Sequence, residues 1–201
     1  MYLLDASAII TPFHTSQLGA LSVALRSDSI EETRQRLESW YERGFRSGDL
    51  VLAREVYEEL TTIKKGKPPR PEQVLLKRLW EAREIKVLEP NQEFFQVLTE
   101  IHLFVKSHFE PHQAEAFLKE GEADPILLAL ARVYGAKVIT EERFSIPQSD
   151  GSSGLIMGKP RLPFIGSAFG VQCLSLLQIL LSMRLNEGEQ FGGQTQEVGG
   201  R

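Results

Sequence analysis

Short apolar runs alternate with segments of helical spacing along most of the chain. The apolar runs predict β-strands at 2–4, 85–90, 136–140 and 171–174, and the run at 49–53 is either a strand or the approach to the next helix. Helical spacing predicts helices at 30–45, 54–63, 72–84, 91–109, 113–121 and 123–135, with a short helix before the last strand and a terminal helix after it. This alternation predicts an α/β fold, a three-layer α/β/α arrangement with a parallel central sheet.

Polar residues at the ends of two of these helices predict where the helices begin and end. Ser29 is suited to the N-cap of the 30–45 helix, and Gly44 is expected to help end it. Asp124 is suited to the N-cap of the next clear helix, with Pro125 in its first position and Gly135 just beyond its end. These residues fix the expected boundaries.

The length and the apolar content fit one globular domain. The chain has 201 residues, 42% of them hydrophobic, which is enough for a single core. We predict one domain over 1–186. Residues 187–201 carry five glycines and almost no apolar side chains, so we expect a disordered C-terminal tail.

Composition narrows the class of protein further. No run reaches the roughly 18 apolar residues that a membrane span needs, so we expect no membrane contact and a cytoplasmic location. Cys173 is the only cysteine, which excludes a disulfide framework and a cysteine-based zinc site. The net charge of −4 neither indicates nor excludes nucleic-acid binding, because phosphate contacts need only a local basic face.

Four separated segments each place a carboxylate beside an element boundary: Asp5, Glu58–Glu59, Asp124 and Glu141–Glu142. Ligands of parallel α/β sheets bind outside the carboxyl ends of the strands, so these acids are expected to converge there. Converging carboxylates raise each other's pKa values unless a cation binds, and oxygen ligands suit Mg²⁺ or Mn²⁺. Such a cation can activate water and stabilise charge on a phosphate. The pattern therefore predicts metal-dependent phosphodiester hydrolysis.

Each of these acids also has a simpler explanation. Asp124 can serve only as a helix cap, and Asp5 can cap a helix that starts near Ser7. The glutamate pair at 58–59 fits a solvated helix face, and the pair at 141–142 fits an ordinary loop. No acid is specific by itself, and the prediction depends on their order.

Four stretches in that order resemble the successive motifs of PIN-domain proteins: "YLLDASAII", "VYEEL", "ADPILLALARVYGAKVITEE" and "GVQCLSLLQILL". The resemblance spans roughly residues 1 to 184. It is strongest to the toxin-type members, the VapC-like ribonucleases, which pair with an antitoxin. The resemblance therefore implies a PIN-like fold, a Mg²⁺- or Mn²⁺-dependent endoribonuclease, an RNA substrate, an antitoxin partner and a homodimer.

The resemblance also assigns residues. Asp5, Glu59, Asp124 and Glu142 take the places of the catalytic, metal-binding acids, with Ser7 orienting Asp5 and Thr140 opening the last motif. Glu58 and Glu141 are weaker substitutes for their neighbours, and Arg143 is a weaker candidate for contacting substrate phosphate. The fourth acid is a glutamate where the family more often has aspartate, and the stretch between the second and third motifs is long.

Two other functions share these residues. One is a non-catalytic PIN-like module that holds RNA or a protein with a weak metal site, and the other is a DNA or flap nuclease. Lys64, Lys65, Lys67 and Arg70 form a basic turn that is either a phosphate contact or a solvated loop. His108 and His112 have metal-like spacing, but Pro111 between them disfavours a continuous helix and a zinc site.

Overall fold

The structure, a computed structural model, describes residues 1–62, 68–119, 121–145 and 154–191, the last eight of these as backbone only. Five strands form one parallel sheet in the order β3-β2-β1-β4-β5. Their bounds are Tyr2–Leu4 (β1), Leu50–Ala53 (β2), Val87–Leu88 (β3), Lys137–Ile139 (β4) and Cys173–Leu174 (β5). The predicted parallel α/β fold is confirmed, and the run at 49–53 is a strand.

Ten α-helices of the described residues and one 3₁₀ turn, Thr11–Phe13, accompany the sheet. The helices are Ser7–Ile10 (α1), Thr15–Leu25 (α2), Ile30–Ser47 (α3), Arg54–Thr61 (α4), Pro71–Glu81 (α5), Gln92–His108 (α6), Pro111–Phe117 (α7), Ala123–Tyr134 (α8), Leu162–Ala168 (α9) and Leu176–Phe191 (α10). Helix α2 packs against both α3 and α10, and helix α6 packs against α8. With the sheet between helices, the arrangement is three-layered.

The two strands β1 and β2 at the centre of the sheet are almost completely buried. Leu3 and Leu4 of β1 and all four residues of β2 are at most 1% exposed. A parallel strand covered on both faces needs apolar residues at successive positions, which explains the continuous apolar runs in the sequence. Tyr41 of α3 is also fully buried, and its hydroxyl donates a hydrogen bond to the carbonyl of Ala8. This bond ties α3 to the segment that follows β1.

The start of α3 agrees with the prediction, but its end does not. The Ser29 side chain accepts a hydrogen bond from the backbone N–H of Glu32 at 3.1 Å, as an N-cap does. The helix continues past Gly44 and ends at Gly48, which has the left-handed φ of +73°. Gly44 has a packing role instead, because a Cβ there would lie 2.5 Å from the Leu50 side chain.

The start of α8 also differs from the prediction. The helix begins at Ala123, so Asp124 lies in its first turn and is not the N-cap, and Pro125 is in the third position. The residue in the cap position, Glu122, makes no side-chain cap bond. Gly135 ends the helix with a φ of +61°, as predicted. The carboxylate of Asp124 is therefore not used to cap its own helix.

The C-terminal helix extends further than the sequence suggests. It runs to Phe191, so the predicted tail at 187–201 begins inside this helix, and residues 192–201 lie outside the described part of the chain. Within the described residues, none of the helices has the length and apolar character needed to cross a membrane.

The strand order creates a switch point beside β1. The chain builds β2 and β3 on one side of β1 and then returns to place β4 and β5 on the other side. In open parallel sheets, ligands bind in the crevice at the carboxyl ends of two such strands. Asp5 directly follows β1 and Thr140 directly follows β4, so both residues lie at this crevice.

Candidate functional site

Asp5 is the most deeply buried acid of the predicted set, with 7% exposure. Its backbone N–H donates to the carbonyl of Ile139 at 2.9 Å, which continues the pairing of β1 with β4. Its Oδ2 accepts hydrogen bonds from the hydroxyls of Ser7 and, at 2.8 Å, Thr140. Burial raises the pKa of Asp5, and the two hydroxyl bonds oppose that rise. The carboxylate is thus held in one orientation by neutral donors.

The same two hydroxyls also organise the segment after β4. Ser7 Oγ accepts from the backbone N–H of Glu141 at 3.0 Å, and Thr140 Oγ1 accepts from that of Glu142 at 3.1 Å. Thr140 is 2% exposed, so its hydroxyl acts inside the fold. Ser7 and Thr140 therefore lie where the sequence placed supporting residues, between Asp5 and the last pair of acids.

Asp124 faces this group from the first turn of α8. Burial is the main cause that raises its pKa to about 7. The negative charges of Asp5 and Glu142 raise the pKa of Asp124 further, and the positive charge of Lys159 lowers it. These effects place Asp124 in the same electrostatic environment as the two acids at the strand ends.

Glu59 approaches from α4 at the rim of the site. Its side chain is exposed, yet partial desolvation and then the charges of Asp5 and Glu122 raise its pKa. Glu58 is exposed too, and its negative charge contributes to raising the pKa of Arg54. Of the two glutamates in "VYEEL", Glu59 is thus the one on the side of Asp5.

Both acids after β4 are engaged by protein donors. Glu142 accepts from Arg161 at 3.2 Å and from the backbone N–H of Leu162 at 2.9 Å. Glu141 accepts from the backbone N–H of Leu176 at 2.9 Å, at the start of α10. Glu141 therefore serves the start of a helix, and Glu142 is paired with a cation of the protein.

The donor chemistry fits a hard divalent cation. Carboxylate and hydroxyl oxygens are the groups present, and the mutual repulsion of Asp5, Asp124 and Glu142 is of the kind that a cation relieves. In the parts of the chain that the structure describes, no three acidic, histidine or cysteine side chains stand close enough together to hold a metal as they are placed. A cation would therefore require side-chain rotation, for which the exposed Glu59 is suited.

A cavity of about 340 Å³ adjoins these acids, and Ser7, Glu141, Glu142, Arg143, Ser145 and Arg161 line it. Arg143 forms no ion pair with another described residue. Arg161 was not among the site residues predicted from the sequence. It lies 19 positions after its partner Glu142, beyond a segment rich in turn-forming residues, and no short motif contains both.

The remaining sequence candidates lie elsewhere. His108 ends α6 and His112 is in α7, where it faces Glu110 at 3.5 Å. Lys64, Lys65 and Lys67 lie outside the described residues, and Arg70 pairs with Glu72 at 3.0 Å. The described side chains among them form their hydrogen bonds and ion pairs with other residues and not with the acids at the strand ends.

The fold and the site together define an α/β protein with an acidic crevice at the switch point of a parallel sheet. The chain belongs to the family described as "Domain of unknown function (DUF4411)", whose sequence profile matches residues 34–186, more than half of the chain. The matched span contains Glu59, Asp124 and Glu142 and begins after Asp5 and Ser7. Searches among curated proteins and among solved structures find no match.

Proposed function

We propose that this protein is a metal-dependent endoribonuclease of the PIN type that hydrolyses RNA phosphodiester bonds. The observation that carries the proposal is the placement of Asp5 and Glu142 at the switch point, with the charges of both raising the pKa of Asp124. Acids from three distant segments are kept near one another although their charges repel. Repulsion between the acids destabilises the folded protein, and a bound cation would remove that cost.

Asp5, Glu59, Asp124 and Glu142 would hold Mg²⁺ or Mn²⁺. When bound, such a cation lowers the pKa of water and stabilises negative charge on the phosphate oxygens. Ser7 and Thr140 fix the orientation of the Asp5 carboxylate through hydrogen bonds to its Oδ2. Glu59 is exposed at the rim and would complete the ligand set from the solvent side.

A biological role as the toxin of a toxin–antitoxin pair completes the proposal. Its support is the order of the four PIN-like motifs, and it brings with it an antitoxin partner, a homodimer and a cytoplasmic location. If a small antitoxin-like reading frame lies next to this one, its product should bind the protein and suppress RNA cleavage when the two are mixed. If the product binds but leaves cleavage unchanged, the antitoxin role is wrong.

A second candidate is a non-catalytic PIN-like module with a weak metal site. The observation that favours it is the engagement of Glu142 by Arg161 and by the Leu162 N–H, which leaves this acid paired within the protein. Such a module would bind RNA or protein without cleaving RNA, and added Mn²⁺ would not raise its thermal stability.

Cleavage of a labelled single-stranded RNA with and without Mn²⁺ tests the proposal. We expect cleavage by the parent with Mn²⁺ and none by Asp5→Asn or Asp124→Asn. Glu58→Gln is the matched control, because it removes one exposed carboxylate of α4 on the side of Arg54, and it should cleave normally. Equal cleavage by the Asn variants would refute the assignment, and preference for a DNA strand of the same sequence would indicate a DNA nuclease.

A further inference from the structure

The cavity beside the acids contains two arginines as well as two glutamates. Arginines are not needed to hold a divalent cation, and their positive charge opposes its binding. Guanidinium groups are well suited to phosphate, because they present several N–H donors in a planar fork. Arg143 and Arg161 therefore make the 340 Å³ cavity that they line suited to an anionic ligand.

The pair of Arg161 with Glu142 is built so that it can open. The Arg161 side chain is 45% exposed, and its N–H group donates to Glu142 Oε1 at 3.2 Å. An ion pair so exposed on one side contributes little net stability. The other oxygen of Glu142 accepts from the Leu162 N–H at 2.9 Å, so Glu142 keeps one partner when Arg161 leaves.

If Glu142 holds a cation as proposed, Arg161 and the cation compete for its carboxylate. While it is paired with Arg161, its negative charge is largely compensated and it is a poorer cation ligand. A phosphate that binds the Arg161 guanidinium in place of Glu142 would leave the negative charge of Glu142 uncompensated and available to a cation. The exchange replaces an Arg161–carboxylate pair by an Arg161–phosphate pair, so the protein loses no charge-assisted hydrogen bond.

We propose that Arg143 and Arg161 form a subsite for a backbone phosphate of the polynucleotide strand, and that Arg161 exchanges Glu142 for this phosphate. The inference rests on the proposed function and deepens it. Arg161 is then a positioning residue that links the strand to the cation, because binding of the strand leaves Glu142 available. By thermodynamic reciprocity, bound cation strengthens binding of the strand by the same factor.

The first test measures strand binding without metal. A fluorescent 2′-O-methyl phosphorothioate oligonucleotide is titrated in EDTA against the parent, Arg161→Gln, Arg143→Gln and the control Arg54→Gln. Arg54 forms an ion pair with Glu89 at 2.9 Å, in which the two side chains are 55% and 60% exposed, and Arg54 does not line the cavity. We expect each cavity variant to lose about three- to tenfold in affinity and to show a salt dependence shallower by roughly 0.7 per lost contact. The subsite is refuted if Arg161→Gln binds as tightly as Arg54→Gln.

The second test measures the link to the cation. The affinity for Mn²⁺ is determined with and without the same oligonucleotide, whose integrity is checked on a gel. Arg143→Gln is the matched control, since it removes the same charge from the same cavity, whereas the ion pair of Glu142 is with Arg161. Mn²⁺ alone should bind Arg161→Gln several-fold more tightly than Arg143→Gln, and the oligonucleotide should tighten Mn²⁺ binding more in Arg143→Gln than in Arg161→Gln. Equal factors in the two variants would refute the exchange.

These results distinguish failure of the proposed function from failure of the phosphate subsite. A parent protein that neither binds Mn²⁺ nor cleaves RNA contradicts the proposed function, whatever the arginine variants do. A parent that binds Mn²⁺ and cleaves RNA, together with an Arg161→Gln variant that behaves like Arg54→Gln, contradicts only the phosphate subsite and its exchange.

Discussion

Asp124 should destabilise the metal-free protein, and its replacement by asparagine should reveal how much. The pKa of Asp124 is raised from 3.8 to about 7, first by burial and then by the charges of Asp5 and Glu142. A carboxyl whose pKa is raised in the folded state favours folding while it is protonated. That contribution is complete below pH 4 and is lost as the pH rises to about 7. Above pH 7, the parent carries the full cost of the charge.

The cost can be estimated from the two pKa values. They differ by roughly three, and each unit corresponds to about 1.4 kcal/mol, so the charged Asp124 costs up to about 4 kcal/mol at pH 8. Asparagine is isosteric and neutral, but its buried amide costs about 1–3 kcal/mol when it is poorly paired. We therefore expect Asp124→Asn to stabilise the metal-free protein by about 1–3 kcal/mol at pH 8 and by much less at pH 5.

Urea denaturation in EDTA at pH 5 and pH 8 measures this difference. Glu58→Gln is the control, because it removes one carboxylate from an exposed position and should change stability by less than about 0.5 kcal/mol at either pH. The reasoning is refuted if Asp124→Asn is less stable than the parent at pH 8. It is also refuted if the gain is the same at both pH values.

Three further predictions concern a buried hydrogen bond, a close packing contact and a shielded thiol. Thr140→Val removes a buried hydroxyl that donates to an aspartate at 2.8 Å, and should lower the free energy of unfolding by about 1–3 kcal/mol in urea denaturation. Gly44→Ala should also destabilise, by about 1–3 kcal/mol in the same assay, because the new Cβ would lie 2.5 Å from the buried Leu50 side chain. Burial raises the pKa of Cys173 to about 12, so roughly one thiol in ten thousand is ionised at pH 8 and Ellman's reagent should react slowly with the native protein.

Each of these has a matched comparison. Thr140→Ser keeps the hydroxyl and should be more stable than Thr140→Val; the reverse order would contradict the role of the hydrogen bond. Gly19→Ala, in a helix position with nothing within 4 Å, should stabilise by about 0.5–1 kcal/mol, and a gain from Gly44→Ala as well would contradict the packing argument. Rapid reaction of Cys173 in the native protein, equal to that in urea, would show that the thiol is not shielded.

The apolar runs predicted the sheet well, because a strand buried on both faces must be apolar at successive positions. The position of Asp5 at the end of the first run predicted that it lies at the carboxyl edge of a parallel sheet, and the strand order then places it beside the end of β4. Helix α2 was not predicted, since "TSQLGALSVAL" mixes small and polar residues without a clear apolar stripe, and α1 was considered only as a helix that Asp5 could cap. The carboxyl edge of the sheet, where the candidate site lies, was therefore predicted better than the helices that follow β1.

Local rules failed where a tertiary contact decided the outcome. Gly44 looked like a helix end, but contact with Leu50 explains its small size, and the helix ends at Gly48. Asp124 looked like an N-cap, but the helix begins one residue earlier. The pairing of Arg161 with Glu142 could not be predicted, because 19 residues separate them and the pairing depends on where α9 begins.

The central claim is that Asp5, Asp124 and their neighbouring acids form a site for a divalent cation. Electron paramagnetic resonance of free Mn²⁺, titrated into the metal-free protein, tests it directly because bound Mn²⁺ loses its sharp solution signal. We predict that the parent and Glu58→Gln deplete the free signal saturably, and that Asp124→Asn, although more stable, does not. If the parent leaves the signal of free Mn²⁺ unchanged, or if Asp124→Asn depletes it as the parent does, the account is wrong.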